Sequence, residues 1–512
     1  MRKFLIFKFI SFVDFIGFLM MRSEKTYVLL FLPIFDSLKF RIGIWRAWKN
    51  FERAYNLVPA YKKYIDNKGP FPIISLSPTL IPDLSTIPEM DKENYIKKFS
   101  NEDRVVGGKL PEKGVMIDES SGSSGKPTSW VRGPAERRAT KRMLQLSFKI
   151  SQQGKRVFVI NAFALGAWAT GLNVSISLSD ITILKSTGPD MDKIVNTLLE
   201  FGPSYYYVIM GYPPFLKTLA EDKRIDWDKY TISSAYGGEG ISESIRDYLL
   251  TKYKRVIGSY GASDLEINMA AENDFTIALR RLILESEDVR KALINPSHGV
   301  TPMVFQYNPL VYYLETNEKG ELIVTICRPY NIAPKIRYNI HDMGHAISFS
   351  ELKKRLEPLD VWNKLEKNNP LQLPILFFYG RSDMSIDYYG ANVTPEGLRE
   401  ALFSVPEIAS SINTFKLSSA EDTKHNKKMI VDVELENNKV LASFDKEKIA
   451  KKVFEKMANI NRDFYNAYFN TASSDNLPVL NLHLFGKGPF EGGQKKLKNE
   501  YIVTKNKYDT LK

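Results

Sequence analysis

Between residues 157 and 260, apolar and polar positions alternate in blocks. Val157–Ile160, Tyr205–Met210, Thr231–Ala235 and Val256–Tyr260 are short apolar runs of strand length. Between them, Met191–Phe201 and Ser242–Tyr253 have helical spacing, the second with Ser242 placed as N-cap. Strands alternating with helices predict an α/β domain with a largely parallel sheet. Ligands of such sheets bind in the loops beyond the carboxyl ends of the strands. That rule marks Gly237-Gly238-Glu239 after one strand and Gly261-Ala262-Ser263-Asp264 after the next.

The flanks read differently. Trp45, Trp48, Phe51, Tyr55 and Val58 predict one amphipathic helix over 43–65, kinked near Pro59. Val115–Ile117 predicts a short strand, and Glu136–Lys149 a basic helix. Phe275–Lys291 is a further helical stretch. After Tyr379 the pattern breaks into smaller pieces, Ile430–Leu435, Lys446–Ala458 and Leu480–Phe485, and a Lys-rich tail closes the chain. The expected organisation is an apolar segment over 1–40, a large domain of mixed sheets and helices over 41–380, and a small α+β domain over 381–512. Gly380-Arg381-Ser382-Asp383 is the joint, of a kind that absorbs rotation.

At the N-terminus, Phe4–Met20 and Tyr27–Phe35 are apolar. Lys8 and Asp14 interrupt the first, and the second is too short to span a bilayer. No small-residue cleavage site follows. Three readings stand: an interfacial, membrane-touching helix, a packing helix, or a leader upstream of a start at Met20 or Met21.

Composition narrows the class. With 512 residues and 44% hydrophobic content, the chain is globular and long enough for two domains. A net charge of +12 favours anionic partners: nucleotides, phosphorylated carriers or a membrane surface. Nucleic acid is not expected, because no basic stripe carries interleaved aromatics. The single Cys327, in the strand-like Leu322–Cys327, excludes a disulfide framework, reads as an inert core thiol and points to a reducing, cytoplasmic setting. Five histidines form no metal set; His341 and His345 are four apart, but Gly344 between them predicts a turn rather than a helix face.

The stretch Ser120, Ser121, Gly122, Ser123, Ser124, Gly125, Lys126, Pro127 and Thr128 lies between the predicted strand and the basic helix. Glycines let backbone N–H groups turn toward an anion, the hydroxyls add donors, and Lys126 adds a charge. A strand–loop–helix setting suits a phosphate site. By itself the loop reads equally as a flexible Ser/Gly linker. Pro127 after Lys126 excludes the Gly-Lys-Ser/Thr ending of the Walker loop.

Taken in order, several motifs resemble the adenylate-forming (acyl-AMP) enzyme superfamily, and within it the phenylacetate–CoA ligase-like branch. The Ser120–Thr128 loop resembles that family's phosphate loop. Asn161-Ala162 with Gly166, Gly171 and Leu172 resembles its acyl-pocket segment. Gly237-Gly238-Glu239 and Tyr260-Gly261-Ala262-Ser263-Asp264 resemble its adenine and metal segments. Pro334–Tyr338 with His341-Asp342 resembles the ribose motif, and Gly380–Asp383 through Gly390 and Asn392-Val393 the hinge motif. The resemblance covers about residues 44–498.

It implies ATP-dependent activation of a carboxylic acid and acyl transfer to a thiol, with ATP, Mg²⁺ and CoA as the small molecules. Ser120–Lys126, Thr128, Gly238, Glu239, Tyr260, Gly261, Asp342 and Arg381 would hold ATP, with Asp342 on the ribose hydroxyls. Asp264 would hold the metal, and Ser263 a phosphate or acyl oxygen. Phe163, Trp168, Tyr236 and Gly237 would line the acyl pocket. Asp383 would be the hinge of a mobile small domain that supplies a catalytic lysine, Lys495 or Lys496. Three departures are visible. The metal acid is Asp rather than Glu, the ribose motif reads His-Asp, and Asn461–Asn466 with Gly488-Pro489-Phe490 is also similar to auxin–amino acid synthetases. Transfer to an amine or a carrier protein therefore stays open, as does a nucleotide-binding homologue without catalysis.

Overall fold

A computed structural model describes residues 2–20, 25–26, 36–72, 81–119, 128–152, 156–166, 169–238, 240–294, 301–368, 371–381, 386–388, 391–421, 427–472, 477–491 and 502–503. The chain divides into two compact units. The first comprises 1–238, 253–278 and 304–377; the second comprises 239–252, 279–303 and 378–512.

In the first unit, α1 (Arg2–Met20) and α2 (Asp36–Leu57) precede α3 (Pro59–Asp66). The single kinked helix expected over 43–65 is two helices. Val58 is extended, φ −112° and ψ 108°, because the ring of Pro59 disfavours helical backbone in the residue before it. Next come the antiparallel strands β1 (Met116–Glu119) and β2 (Ser129–Arg132), then α4 (Pro134–Ser151). A large sheet follows, containing β3 (Val157–Asn161), β4 (Ile183–Ser186), β5 (Tyr206–Gly211), β6 (Thr231–Gly237), β7 (Val256–Tyr260) and β8 (Ala270–Ala271). Its remaining strands are β9 (Met303–Tyr307), β10 (Tyr312–Thr316), β11 (Glu321–Ile326), β12 (Tyr338–Ile347) and β13 (Ile375–Arg381), of which the division into units cuts β9 after Met303 and β13 after Phe377. They run in the order β10-β11-β12-β13-β9-β8-β7-β6-β5-β3-β4.

The alternation read from the sequence gives the parallel half. β4–β3–β5–β6–β7 pair in parallel, with α5 (Ala169–Leu178) and α6 (Met191–Phe201) as connections. Beyond β7 the pairing turns antiparallel, at β7–β8, β8–β9, β10–β11 and β11–β12. Strands β10, β11 and β12 follow one another with no helix between them, so the helix–strand alternation that signals a parallel sheet is absent there.

Of the second unit, α7 (Glu243–Leu250) starts after Ser242, whose side chain accepts from Ile245 N. The helical stretch expected over 275–291 is two helices, α8 (Asp274–Glu285), which the division into units cuts, and α9 (Glu287–Leu293); Ser286 breaks the run by capping the second. The remainder is α+β: a hairpin, β14 (Ile386–Tyr388) with β15 (Ala391–Val393), helix α10 (Pro395–Phe403), and a sheet of β16 (Ile412–Glu421), β17 (Lys427–Leu435), β18 (Val479–His483) and β19 (Ile502–Val503). The sheet order is β18-β17-β16-β19. Helix α11 (Lys446–Ile460), capped by Asp445, buries Val453 and Phe454 with Leu402, Val431 and Phe464.

Candidate functional site

Strands β1 and β2 flank the Ser/Gly-rich stretch as an antiparallel pair. Glu119 pairs with Ser129 and Met116 with Arg132, so β1 and β2 hold the two ends of the intervening segment side by side. This corrects the strand–loop–helix expectation: β2 intervenes, and α4 begins only at Pro134. The basic helix therefore does not open directly out of the loop. Ser120, Ser121, Gly122, Ser123, Ser124, Gly125 and Lys126 lie outside the described residues, and Thr128 directly precedes β2.

The stem of the hairpin is tied to the loop that follows β7. Arg132 gives Nε to Asp118 Oδ2 at 3.2 Å and its two terminal nitrogens to the carbonyls of Ser263 and Leu265. One guanidinium thus fixes two motif segments more than a hundred residues apart, using its planar fork of donors. Asp118 is buried and also lies 3.4 Å from Asn173 Nδ2. Asp118 is marked in the sequence only as the first residue of the stretch that leads into the Ser/Gly loop, and Arg132 not at all, because an acid and an arginine on adjacent strands match no spacing rule.

The same loop reaches β12 twice. Tyr260, at the end of β7, donates its hydroxyl to Asp342 Oδ2 at 2.6 Å, and both residues are buried. Tyr338 donates to Asp264 Oδ2 at 2.8 Å. Gly261 is required where it stands, since a Cβ there would lie 2.6 Å from the carbonyl of Glu266. Beyond β6, Gly238 has φ +86°, and a Cβ would meet the Tyr212 ring at 2.5 Å. Glu239 lies outside the described residues.

Between these segments sits Lys335, which the sequence marks only as part of the Pro334–Tyr338 run. It is buried, with Nζ 4.8 Å from the ring centre of Trp130 in β2 and 5.6 Å from that of Tyr338. Burial, reinforced by Arg132 and Arg104, pulls its ammonium down to about 7 against the attraction of Asp264 and Glu136. Burial likewise pushes the Glu136 carboxyl up to about 7, with Arg132 opposing.

Two residues beyond Asp264, Glu266 faces the other way. It pairs with Arg328, and Tyr312 donates to its Oε2 at 2.6 Å; all three are buried. On β6, Tyr236 is buried and donates to Glu272 Oε2 at 2.9 Å, an oxygen that also accepts from Gly258 N at 2.6 Å. Gly237 points to the opposite face, where a Cβ would lie 3.9 Å from the Phe163 ring. Phe163 packs edge-on to Tyr212 at 5.3 Å and belongs to a buried cluster with Val159, Val174 and Met210. The structure thus brings Phe163 to Gly237, and it turns the Tyr236 side chain into the core; Trp168 lies outside the described residues. Asn161 organises this segment by donating to Gly171 O and Ser175 Oγ, both at 2.7 Å.

The remaining candidates are placed as follows. Arg381 ends β13, and Asp383, Lys495 and Lys496 lie outside the described residues. Cys327 is buried, and burial raises its thiol to about 12, which makes it an inert core residue. His341 and His345 are in strand β12, not in a turn. His341, at φ +63°, faces Glu321 at 3.0 Å, and His345 stacks on Phe377 at 4.7 Å. Among the described residues no group of three or more His, Cys, Asp or Glu is arranged to hold a metal.

No protein-family model matches the sequence, and no curated protein matches it. Solved structures do match. The chain is similar to 2-hydroxyisobutyryl-CoA ligase in its postadenylation state with R3-HIB-AMP, at a TM-score of 0.62 and 12% identity, over 91% of this chain and 89% of that one. An open conformation of the same ligase, with 2-HIB-AMP and CoA, matches at a TM-score of 0.52 and 11% identity, over 91% of each chain. At this identity the likeness concerns the fold, which is the mixed α/β fold of the adenylate-forming enzymes.

Proposed function

We propose that this protein uses ATP to activate a carboxylic acid as its acyl-adenylate and passes the acyl group to a thiol, CoA being the favoured acceptor, in the manner of the phenylacetate–CoA ligase-like branch. One observation carries the reading. Arg132 ties the hairpin stem to Ser263 and Leu265, while the same loop and its strand meet β12 through Asp264–Tyr338 and Tyr260–Asp342. The stem flanking the Ser/Gly stretch therefore meets two other segments singled out in the sequence, around Asp264 and around Tyr338–Asp342, within one unit of the chain.

In the first half-reaction a carboxylate oxygen bonds to the α-phosphorus as the bond to the bridging β-phosphate oxygen breaks, releasing pyrophosphate. In the second, the thiolate attacks the acyl carbon and AMP leaves. The obstacle to the first step is negative charge on both reactants, so positioning and charge neutralisation dominate. We assign the β- and γ-phosphates to the Ser120–Thr128 loop with Lys126, the ribose hydroxyls to Asp342, and a ribose or phosphate oxygen to Arg381. Gly238, Glu239, Tyr260 and Gly261 would border the adenine, and Phe163, Trp168 and Gly237 the acyl group, with Ser263 at the reacting oxygens; Tyr236, expected beside them, is committed to Glu272 in the core. Asp383 would be the hinge about which residues 381–512 turn between half-reactions, and Lys495 or Lys496 the lysine they deliver.

Asp264 suits a Mg²⁺ shared with phosphates. It is half-buried, offers a single carboxylate, and no richer ligand set surrounds it among the described residues. Mg²⁺ commonly takes one or two carboxylates and completes its shell with phosphate oxygens and water. Such an ion would offset phosphate charge during attack.

Pyrophosphate release across a panel of carboxylic acids, with and without CoA, tests the reading. Acid-dependent release with CoA consumed is the expected result. Release followed by product only with an amine or a carrier protein would replace the acceptor. No acid-dependent release across aryl, short-chain and fatty acids would reject the activity.

A further inference from the structure

We propose that α1 is a membrane-surface anchor, its phenylalanine-rich outer face lying in the headgroup layer of a bilayer that carries anionic lipid. The inference stands apart from the proposed activity. One face of α1 docks on α2: Ile10 is buried, and Phe7 meets Trp45 edge-on at 6.1 Å. Asp14 pairs with Arg46, Lys3 pairs with Glu52, and Ser11 accepts from Lys49 at 2.8 Å. These contacts set which side of the helix faces out.

The outward side is apolar. Phe4, Phe12 and Phe15 are 63%, 61% and 58% exposed, joined by Leu5, Ile16 and Leu19. Their spacing along the helix makes them one continuous stripe. Contiguous exposed apolar surface of this kind marks an interaction site rather than ordinary solvent-facing surface. Charge identifies the occupant. Asp14, the only acid in the helix, is turned inward onto Arg46, and exposed Lys8 lies with Nζ 5.4 Å from the Phe4 ring. An apolar face rimmed by a lysine, whose stem lies along an aromatic ring while its head can reach phosphate, is the arrangement of an interfacial helix. With a net charge of +12, two copies of the chain repel each other, whereas an anionic surface attracts both. No helix among the described residues is long and apolar enough to cross a membrane, so α1 would lie on the bilayer rather than span it.

Flotation of the full chain with vesicles of phosphatidylcholine alone, and with roughly 30% phosphatidylserine, tests this. Binding should rise with phosphatidylserine and fall with salt. The double variant Phe12→Glu/Phe15→Glu should bind at least about tenfold less, with its circular dichroism and thermal midpoint unchanged, since both positions face solvent. If that variant misfolds, Phe4→Ser/Phe12→Ser carries the same comparison. Lys8→Glu should reduce the preference for phosphatidylserine. Wild-type protein that floats with neither vesicle, or a folded double variant that floats as well as wild type, overturns the proposal. So does lipid-free self-association that the double variant abolishes, because a second copy would then be the occupant.

Discussion

Asp264 and Glu266 are two residues apart in one loop and have opposite surroundings. Glu266 is buried and closed off by Arg328 and Tyr312. Asp264 is half-buried and touches Tyr338 through one oxygen. A buried carboxylate with its partners in place is a structural unit, costly to break from one side. A partly open carboxylate beside a buried lysine is suited to a charged ligand. The contrast teaches that acidity near a motif does not identify the working acid; the environment of each side chain does.

The largest effect should fall on Glu266. Arg328→Met leaves its carboxylate buried without its ion pair, and stability should drop by about 3–5 kcal/mol, read from urea unfolding. A drop below about 1 kcal/mol would erase the distinction between the two acids. Asp264→Ala should leave the unfolding midpoint within roughly 1 kcal/mol of wild type, while lowering acid-dependent pyrophosphate release by about a hundredfold or more. Unchanged release would remove Asp264 from the site.

Lys335 gives a pH-dependent test. Its folded-state value is lowered to about 7, so between that pH and its ordinary value near 10.5 the unfolded chain binds more protons than the folded one. Holding this lysine charged in the core is therefore a penalty, fully present below about pH 7 and relieved as pH rises toward 10.5. Lys335→Met should stabilise the protein by roughly 1–2 kcal/mol at pH 6.5, with the gain vanishing by about pH 10. Paired urea unfolding curves at the two pH values read this directly, and a gain independent of pH would reject it. The smallest effect belongs to Tyr338→Phe, which frees Asp264 Oδ2 by removing one hydrogen bond and should change stability by about 1 kcal/mol.

The parallel half of the large sheet was legible because period and length suffice there. Met191–Phe201 appears as a helix at the expected bounds, and Ser242 caps its helix as its position before an amphipathic run predicts. In the antiparallel half, the strand-like Leu322–Cys327 was legible and is β11, whereas β10 to β12 as a set were not, since they follow one another without the alternating helices that mark a parallel sheet. Strand β16, from Ile412 to Glu421, gives no strand signal because Asn413, Thr414 and Lys416 break up its apolar character. Of the site, residues embedded in glycine-rich turns were visible: Gly238 and Gly261 sit where a Cβ has no room. Arg132 carries no signal in the sequence, and Asp118 and Lys335 show only as members of longer runs, because their importance comes from partners in distant parts of the chain.

The sequence alone determined the α/β class of the central region, the ordered set of loops after its strands, and the inert character of the lone cysteine. These depend on local period, local turn chemistry and composition. Only the tertiary structure decided that paired strands flank the Ser/Gly stretch, that Arg132 binds this stem to the Ser263–Leu265 backbone, and that Asp264 stays open while Glu266 is closed. Those outcomes depend on which distant groups share a low-dielectric neighbourhood, where pairing and burial set the state of every charge, and linear spacing carries no record of that.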